Sequence, residues 1–258
     1  MVTFLSLVSG SSGNASLVSD GVTTLLIDCG VSGKKLEQSL HSIDRSASSI
    51  DALLITHEHS DHICGAGVIS RRYDLPLYAT EKTHAAMNIG KIKPENRKMI
   101  SAGTTFEIGT IGVHPFSIPH DAADPVGYNF FAEHKKYTLA TDLGHMNDEL
   151  KQHLLGSHSI VLESNHDVEM LRVGSYPYPL KQRVLGNKGH LSNENAASTV
   201  IDLVHSGTEH IMLGHLSIEN NTPEIAHLTT ASALSSVGIL PGSDVTLSVA
   251  HRFEVTGF

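Results

Sequence analysis

The chain has 258 residues, of which 40% are hydrophobic and 17% are charged. That length suffices for one large domain with a sizeable core, and a second full domain is not expected. The formal net charge of −9 argues against a broad basic surface for duplex DNA, although two bound divalent ions would add about +4 locally and leave a nucleic-acid substrate open.

Short strands and turns alternate at the beginning of the chain. The apolar segment Val2–Val8 predicts a strand rather than a signal peptide, because no basic segment precedes it. A turn-rich loop follows at residues 9–14. Ala15–Ser19 and Thr23–Asp28 predict a hairpin around Asp20-Gly21.

A helix and a buried strand come next. Leu36, Leu40 and Ile43 share one helical face. Ala52–Thr56 is a continuous apolar run, which is typical of a strand buried on both faces. No window of the chain approaches the roughly 18 uncharged apolar residues of a membrane span, so no membrane partner is expected.

The middle of the chain is rich in strands, with one short helix over Asn147–Gly156. The predicted strands share apolar or alternating residues and are Leu75–Ala79, Thr104–Ile108, Ile111–Ile118, Val126–Ala132, Lys136–Thr141 and Ile160–Glu163.

The last third contains two clearer helices, with the strand His210–Gly214 between them and the strand Val245–Val255 at the end. One helix starts near Ser192; the other starts at Thr222-Pro223, with Thr as N-cap and Pro at the first helical position. Their apolar residues are Ala196, Val200, Ile201 and Val204 in the first and Ile225, Leu228 and Leu234 in the second. We therefore expect one domain over residues 1–258, with sheets covered by helices.

Only two cysteines are present, Cys29 and Cys64. They form neither a disulfide framework nor a zinc-finger spacing, which favours a reducing cytoplasm. We predict both to be small core residues.

The most informative segment is His57-x-His59-x-Asp61-His62, which directly follows the buried strand. In a tight loop His57 and His59 point to one side and can share one metal ion, while Asp61 and His62 are placed for a second. Imidazole together with carboxylate suits zinc, and also manganese or iron. The segment therefore predicts a metal site.

Further ligands must come from elsewhere in the chain. His120, Asp142 and His215 each stand just beyond an apolar strand, where a metal-binding side chain is well placed. Taken singly, each of the three is equally consistent with an ordinary turn residue.

The run Thr56–His62 resembles the T-H-x-H-x-D-H signature of the metallo-β-lactamase superfamily. Four other segments are similar to the YycJ/WalJ-like subgroup, namely residues 9–14, 163–167, 189–193 and 214–217. The resemblance covers the whole chain. It implies an α+β fold, the four-layer αββα sandwich, and a metal-dependent hydrolase.

The resemblance also implies a set of ligands for two divalent ions, Zn²⁺ or Mn²⁺ with iron as a further option. A hydroxide bridging the ions would be the nucleophile, oriented by Asp61. Asp28 resembles the family residue that orients ligating imidazoles, or it is an ordinary turn residue. The implied ligands are His57, His59 and His120 for the first ion, Asp61, His62 and His215 for the second, and Asp142 between them.

The substrate has to be inferred from residues around the ligands. Gly189–Asn193 precedes a helix, and a helix N-terminus suits phosphate, so Ser192 and Asn193 are candidate substrate contacts. His190 would bind a phosphate oxygen or protonate the leaving oxygen. Alternatively Ser192 only caps the helix and His190 lies on the surface. Asn165 and His166 form another candidate pair. Three roles are open for them: contact with substrate, orientation of a metal ligand, or capping of a turn.

The leading hypothesis is a dinuclear metal-dependent phosphodiesterase or nuclease. The residues themselves support only a phosphodiester-like substrate; the subgroup resemblance implies a DNA exonuclease acting from the 5′ end on single strands. Three rivals stay open: a small-molecule phosphodiesterase acting on a cyclic phosphate or nucleotide, a carbon-centred hydrolase such as a thioesterase or lactonase, and a non-enzymatic metal-binding regulator. The oligomeric state is left open.

Overall fold

The structure is a computed structural model that describes residues 2–258; Met1, part of the expected domain, lies outside the described residues. Two units are distinguished by their internal contacts. The first comprises the residues up to Ser117, Ala122–His134 and His251–Phe258, and the second comprises Ile118–Asp121 and Lys135–Ala250. The single domain over residues 1–258 stays a prediction.

The first unit contains a seven-stranded mixed sheet. Its strands are β1 (Thr3–Val8), β2 (Ala15–Ser19), β3 (Thr24–Ile27), β4 (Ala52–Leu54), β5 (Leu77–Thr80), β6 (Arg97–Ile100) and the C-terminal β14 (Thr256–Gly257). They are ordered β14-β1-β2-β3-β4-β5-β6. Pairing is antiparallel from β14 to β3 and parallel from β3 to β6.

The same unit contains an antiparallel meander and four helices. The meander strands are β7 (Phe106–Ile108), β8 (Ile111–Ser117) and β9 (Val126–Ala132). The helices are α1 (Gly33–His41), α2 (Ser60–Ile63), α3 (Ala66–Tyr73) and α4 (Glu81–Ala86), with 3₁₀ turns at Ala47–Ser49 and Pro94–Asn96.

Strand β4 places the histidine motif. All three of its residues are fully buried, and it has a parallel neighbour on each side, which explains its continuous apolar sequence. Leu53 belongs to a core that also contains Leu26 and Leu77 from those neighbours. The chain leaves β4 at its carboxyl end and enters the single turn α2, so residues 57–62 lie at that edge of the sheet.

The second unit is built on four parallel strands. They are β10 (Lys135–Ala140), β11 (Ser159–Glu163), β12 (His210–Gly214) and β13 (Thr246–Val249), paired in that order. The helices are α5 (Asp148–Leu154), α6 (Val168–Val173), α7 (Tyr178–Leu185), α8 (Asn193–His205) and α9 (Pro223–Ser236). The predicted caps are present, since Ser192 accepts from the backbone N–H of Asn195 and Thr222 from that of Ile225.

Most predicted elements are confirmed, three of them with their exact bounds, namely the strands Ala15–Ser19, Val126–Ala132 and His210–Gly214. The strand predicted over Val245–Val255 is wrong in length, because polar, exposed residues after Ala250 interrupt it and β13 ends at Val249. Leu228 is 66% exposed, not on the packed face of α9. The buried residues of α9 recur every four positions, and Leu228 lies two positions off that line.

The sequence did not predict several short helices or the strand β6. Helices α3, α4, α6 and α7 span six to eight residues, which is too short for a clear helical period. The prediction that both cysteines are core residues holds for Cys29, which is buried, and is wrong for Cys64, which is exposed. No helix within residues 2–258 has the length and apolar character needed to cross a membrane.

Candidate metal centre

The histidine motif of the first unit folds into a tight cluster. His57 lies in the loop after β4, His59 is the N-cap residue of α2, and His62 lies within α2. The His57 ring centroid is 4.6 Å from that of His59 and 4.1 Å from that of His62. The Nε2 atom of His62 is 3.5 Å from Oδ2 of Asp61. The four motif residues are therefore close enough to act as neighbouring ligands.

Asp28 orients this cluster from the end of β3. Its Oδ2 accepts a hydrogen bond of 2.7 Å from Nδ1–H of His62 and one of 2.8 Å from the Thr56 hydroxyl, and its Oδ1 accepts from the Thr56 backbone N–H. The bond to Nδ1 fixes the His62 tautomer and leaves Nε2 as the nitrogen with a lone pair for a metal. Thr56 Oγ1 also lies 3.0 Å from Nδ1 of His57. Asp28 therefore contacts both Thr56 and His62, and its role in orienting metal ligands stays a prediction.

The second unit has its own cluster, centred on a residue that the sequence did not point to. Glu163, the last residue of β11, is fully buried. Its Oε1 accepts hydrogen bonds of 2.8 Å from Nδ1–H of both His190 and His215. Its Oε2 accepts from the backbone N–H groups of Leu143 and Leu191. One carboxylate thus positions two imidazoles and two loops.

Asp142 lies between two predicted ligands of the second unit. Its Oδ1 is 3.7 Å from Nε2 of His120 and 3.6 Å from Nε2 of His215. Both separations exceed a normal hydrogen bond and suit two atoms bound to one cation. The Nδ1 atom of His120 is tied to the carbonyl oxygen of Gly189 at 3.1 Å, which directs Nε2 towards Asp142.

The donor chemistry of the second cluster fits a divalent metal ion. One potential ligand atom from each of Asp142, Glu163, His190 and His215 lies within 4.8 Å of the others. These are the nitrogen and oxygen donors that zinc and manganese accept. Because Nδ1 of His215 is bound to Glu163, Nε2 is the nitrogen that has a lone pair available for a metal.

The charges around His190 raise its pKa. Burial alone would lower the pKa of His190, but the Glu163 carboxylate, through its charge and its hydrogen bond, outweighs burial and raises that pKa above its usual value. Burial would likewise raise the pKa of Glu163, and the two imidazoles hold it well below its usual range instead. In contrast, burial lowers the pKa of His120, as metal ligation requires.

Three site residues have a left-handed backbone, which is uncommon outside glycine. The φ angles are 59° for Asp28, 61° for Asp142 and 56° for His215. Each residue lies within two positions of the end of a strand. Such conformations cost on the order of 1–3 kcal/mol each and are typical of functional sites.

The four predicted substrate contacts differ in their surroundings. Ser192 caps α8, and Asn193 is fully buried in hydrogen bonds with Ser164 and Asn221. Asn165 donates from Nδ2 to the carbonyl oxygen of His215, so it supports a ligand loop. His166 is only 1% exposed, neither ring nitrogen has a hydrogen-bond partner, and burial lowers its pKa to about 4. Substrate contact by these residues stays a prediction.

Comparison with known proteins agrees with this arrangement. The family model described as a β-lactamase superfamily domain matches residues 23–216, a span that contains every predicted ligand. The chain is 43% identical over 254 residues to exodeoxyribonuclease YycJ of Bacillus anthracis, covering 98% of this chain and 93% of the relative. It is 43% identical over 242 residues to exodeoxyribonuclease WalJ of Streptococcus pneumoniae D39, covering 92% and 90%.

Solved structures show the same fold. The metallo-β-lactamase fold protein YhfI of Bacillus subtilis matches with a TM-score of 0.73 at 14% identity, over the whole of both chains. This confirms the predicted α+β class and the four-layer αββα sandwich. The chain belongs to the metallo-β-lactamase superfamily, in its YycJ/WalJ-like subgroup.

Proposed function

We propose that the protein is a metal-dependent exodeoxyribonuclease that degrades single-stranded DNA from its 5′ end. The observation that carries the proposal is the pair formed by His190 and Glu163, an imidazole hydrogen-bonded through Nδ1 to a buried carboxylate that raises its pKa. It supplies the acid that a phosphodiester leaving group needs. The nearly full-length relatives, which are named exodeoxyribonucleases, support DNA as the substrate.

The cofactor in this proposal is a pair of divalent ions, Zn²⁺ or Mn²⁺. When bound, such ions lower the pKa of water and polarise the phosphorus–oxygen bonds of a phosphodiester. The proposed ligands are those that the family motif assigns, with Asp142 shared by both ions. They are His57, His59, Asp61, His62, His120, Asp142 and His215.

The other roles in the reaction belong to side chains of the protein. Nδ1 of His190 is bound to Glu163, so the proton for the leaving 3′-oxygen comes from Nε2. Glu163 keeps that imidazole charged and in place. Asp61 accepts a proton from the attacking water and orients it. Asp28 holds His62 in the ligating tautomer.

A panel of substrates tests the reaction class. The purified protein is incubated with Mn²⁺ or Zn²⁺ and with single-stranded DNA labelled at the 5′ or the 3′ end, the corresponding duplex, bis-p-nitrophenyl phosphate and a thioester. We expect early release of a labelled mononucleotide only from the 5′-labelled single strand. Cleavage of the small ester with intact DNA would indicate a small-molecule phosphodiesterase, and thioester hydrolysis alone would contradict both phosphodiester functions.

His190→Ala tests the proposed acid. Turnover should fall by roughly 10²–10⁴-fold, the usual contribution of a general acid, while metal content is retained. His205→Ala, which removes an exposed histidine from the end of α8, is the matched control and should leave turnover unchanged. Unchanged turnover in His190→Ala would remove this residue from the mechanism.

Asp142→Ala tests the bridging ligand. Because Asp142 lies between the Nε2 atoms of His120 and His215, its loss should lower the metal content measured by elemental analysis. Full metal occupancy in this variant would contradict the shared-ligand assignment.

The proposal includes a cytoplasmic location. Both cysteines are free thiols, one of them exposed, as is usual in a reducing compartment. Cell fractionation followed by immunodetection checks this, and recovery outside the cytoplasmic fraction would contradict it.

A further inference from the structure

A second group of metal-binding side chains lies in the second unit, away from the cluster around Glu163. His158 immediately precedes β11, and Glu209 and His210 stand at the start of the adjacent β12. Glu163 ends β11, so the two groups are separated by the length of a five-residue strand. At about 3.3 Å per residue, that distance is roughly 16 Å.

The spacing of the potential ligand atoms in this group also suits a transition-metal ion. One potential ligand atom from each of His158, Glu209 and His210 lies within 4.8 Å of the others. Nδ1 of His158 is 3.4 Å from Oε1 of Glu209. Two ligands each about 2.1 Å from a tetrahedral zinc ion stand about 3.4 Å apart.

The backbone holds these side chains in place. The N–H groups of Glu209 and His210 both donate to the carbonyl oxygen of His158, and the N–H of His158 donates to that of Lys136. The rings of His158 and His210 meet edge to face, with centroids 5.1 Å apart. The ring of Tyr137 packs on His158 in the same manner at 5.9 Å. Little backbone rearrangement is therefore needed to bring the three ligands around one ion.

The contact with Lys135 indicates which ring nitrogen of His158 carries the proton. Its ammonium group lies 3.0 Å from Nε2 of His158 and can only donate. A neutral His158 therefore carries its proton on Nδ1, the atom that faces Glu209. Metal binding at Nδ1 moves that proton to Nε2, and the contact with Lys135 must then break.

We propose that His158, Glu209 and His210 form an additional binding site for a divalent transition-metal ion of the zinc class, with Lys135 as a built-in competitor. The ion is bound by two imidazoles and one carboxylate, and water completes the tetrahedron. The site is independent of the proposed nuclease activity, since it lies at the opposite end of β11 from Glu163.

Equilibrium dialysis against Zn²⁺ with elemental analysis tests the site. The full chain should bind one more equivalent of Zn²⁺ than the double variant His158→Ala/His210→Ala. Glu209→Gln, which changes one exposed side chain, gives a second comparison that does not endanger folding and should weaken the same equivalent. His227→Ala removes an exposed histidine of α9 and should behave like the unchanged protein. Equal Zn²⁺ content in all four proteins would overturn the proposal.

Lys135→Met tests the competition. Removing the ammonium should tighten Zn²⁺ binding at this site by about tenfold, because a nearby like charge and a competing hydrogen bond are both lost. Long-range ¹H–¹⁵N NMR of the imidazoles should show the proton of His158 on Nδ1 without Zn²⁺ and on Nε2 with it. A His158 tautomer that does not respond to Zn²⁺, or unchanged affinity in Lys135→Met, would overturn the proposal.

Discussion

At the scale of single residues, the candidate site depends on carboxylates that orient imidazoles. Asp28 does so for His62, and Glu163 does so for His190 and His215. The sequence pointed to Asp28 through a family resemblance. Glu163 lies in a segment that resembles the subgroup, but the sequence assigned it no role, because a glutamate that ends an apolar strand looks like any strand-terminating polar residue. Only the convergence of two imidazoles and two backbone N–H groups on one buried carboxylate distinguishes it.

Glu163→Gln should impair the site through the two imidazoles that Glu163 positions. Whichever way the neutral amide is turned, its NH₂ group faces either the backbone N–H groups of Leu143 and Leu191 or the Nδ1–H groups of His190 and His215, so one pair of donors loses its acceptor. The amide also no longer raises the pKa of His190. We expect turnover or metal affinity to fall by about 10–100-fold and the free energy of unfolding to fall by about 1–3 kcal/mol.

Activity assays, elemental analysis and urea unfolding measure these effects. Glu169→Gln on α6 is the matched control, because its partner Arg172 is exposed and such pairs contribute little to stability. Equal loss in both variants would show that the position of the carboxylate is unimportant.

At the scale of elements, the candidate site was easiest to predict where its residues directly follow a buried strand. The apolar run of β4, followed at once by four ligand types, fixes both the element and the chemistry at its end. The burial of His166 could not be predicted from the sequence, because it depends on how segments that are distant in the chain pack together. Asn165 and Asn193 have the composition of a binding loop and make hydrogen bonds within the fold, and their contact with substrate stays a prediction.

The loop after β3 and helix α2 approach each other closely at Gly30. A Cβ atom on Gly30 would lie 1.6 Å from the backbone oxygen of Asp61, so one of the two segments would have to move. We therefore expect Gly30→Ala to lower the free energy of unfolding by about 2 kcal/mol or more and to weaken metal binding by displacing Asp61 and His62.

Chemical denaturation and elemental analysis check this expectation. Gly112→Ala in β8 is the control, because its added Cβ meets atoms of Phe131 at 3.4 Å or more, which are ordinary contacts. Similar stability of the two variants would contradict the importance of the close approach.

At the scale of the whole molecule, we expect the net charge and the folding stability to depend on bound metal. The chain carries a formal charge of −9, and ligands bound only by the folded state add to its stability. Removing metal with EDTA should therefore lower the melting temperature and abolish nuclease activity, and Mn²⁺ or Zn²⁺ should restore both. At a free metal concentration 100 times the dissociation constant, the stabilisation is about 2.7 kcal/mol.

Scanning calorimetry over a series of metal concentrations measures this coupling. The melting temperature should rise with the logarithm of the free metal concentration. A melting temperature independent of metal would mean that the ions do not distinguish the folded chain from the unfolded one.

The left-handed backbone at Asp28, Asp142 and His215 has a consequence for laboratory evolution. Glycine accepts this conformation at no steric cost, so a library screened for heat resistance in EDTA, where bound metal adds no stability, should enrich glycine at position 142, where the strain is relieved and a buried charge disappears. The same clones should be catalytically dead. Selection for heat resistance and selection for DNA turnover would then favour different residues at position 142.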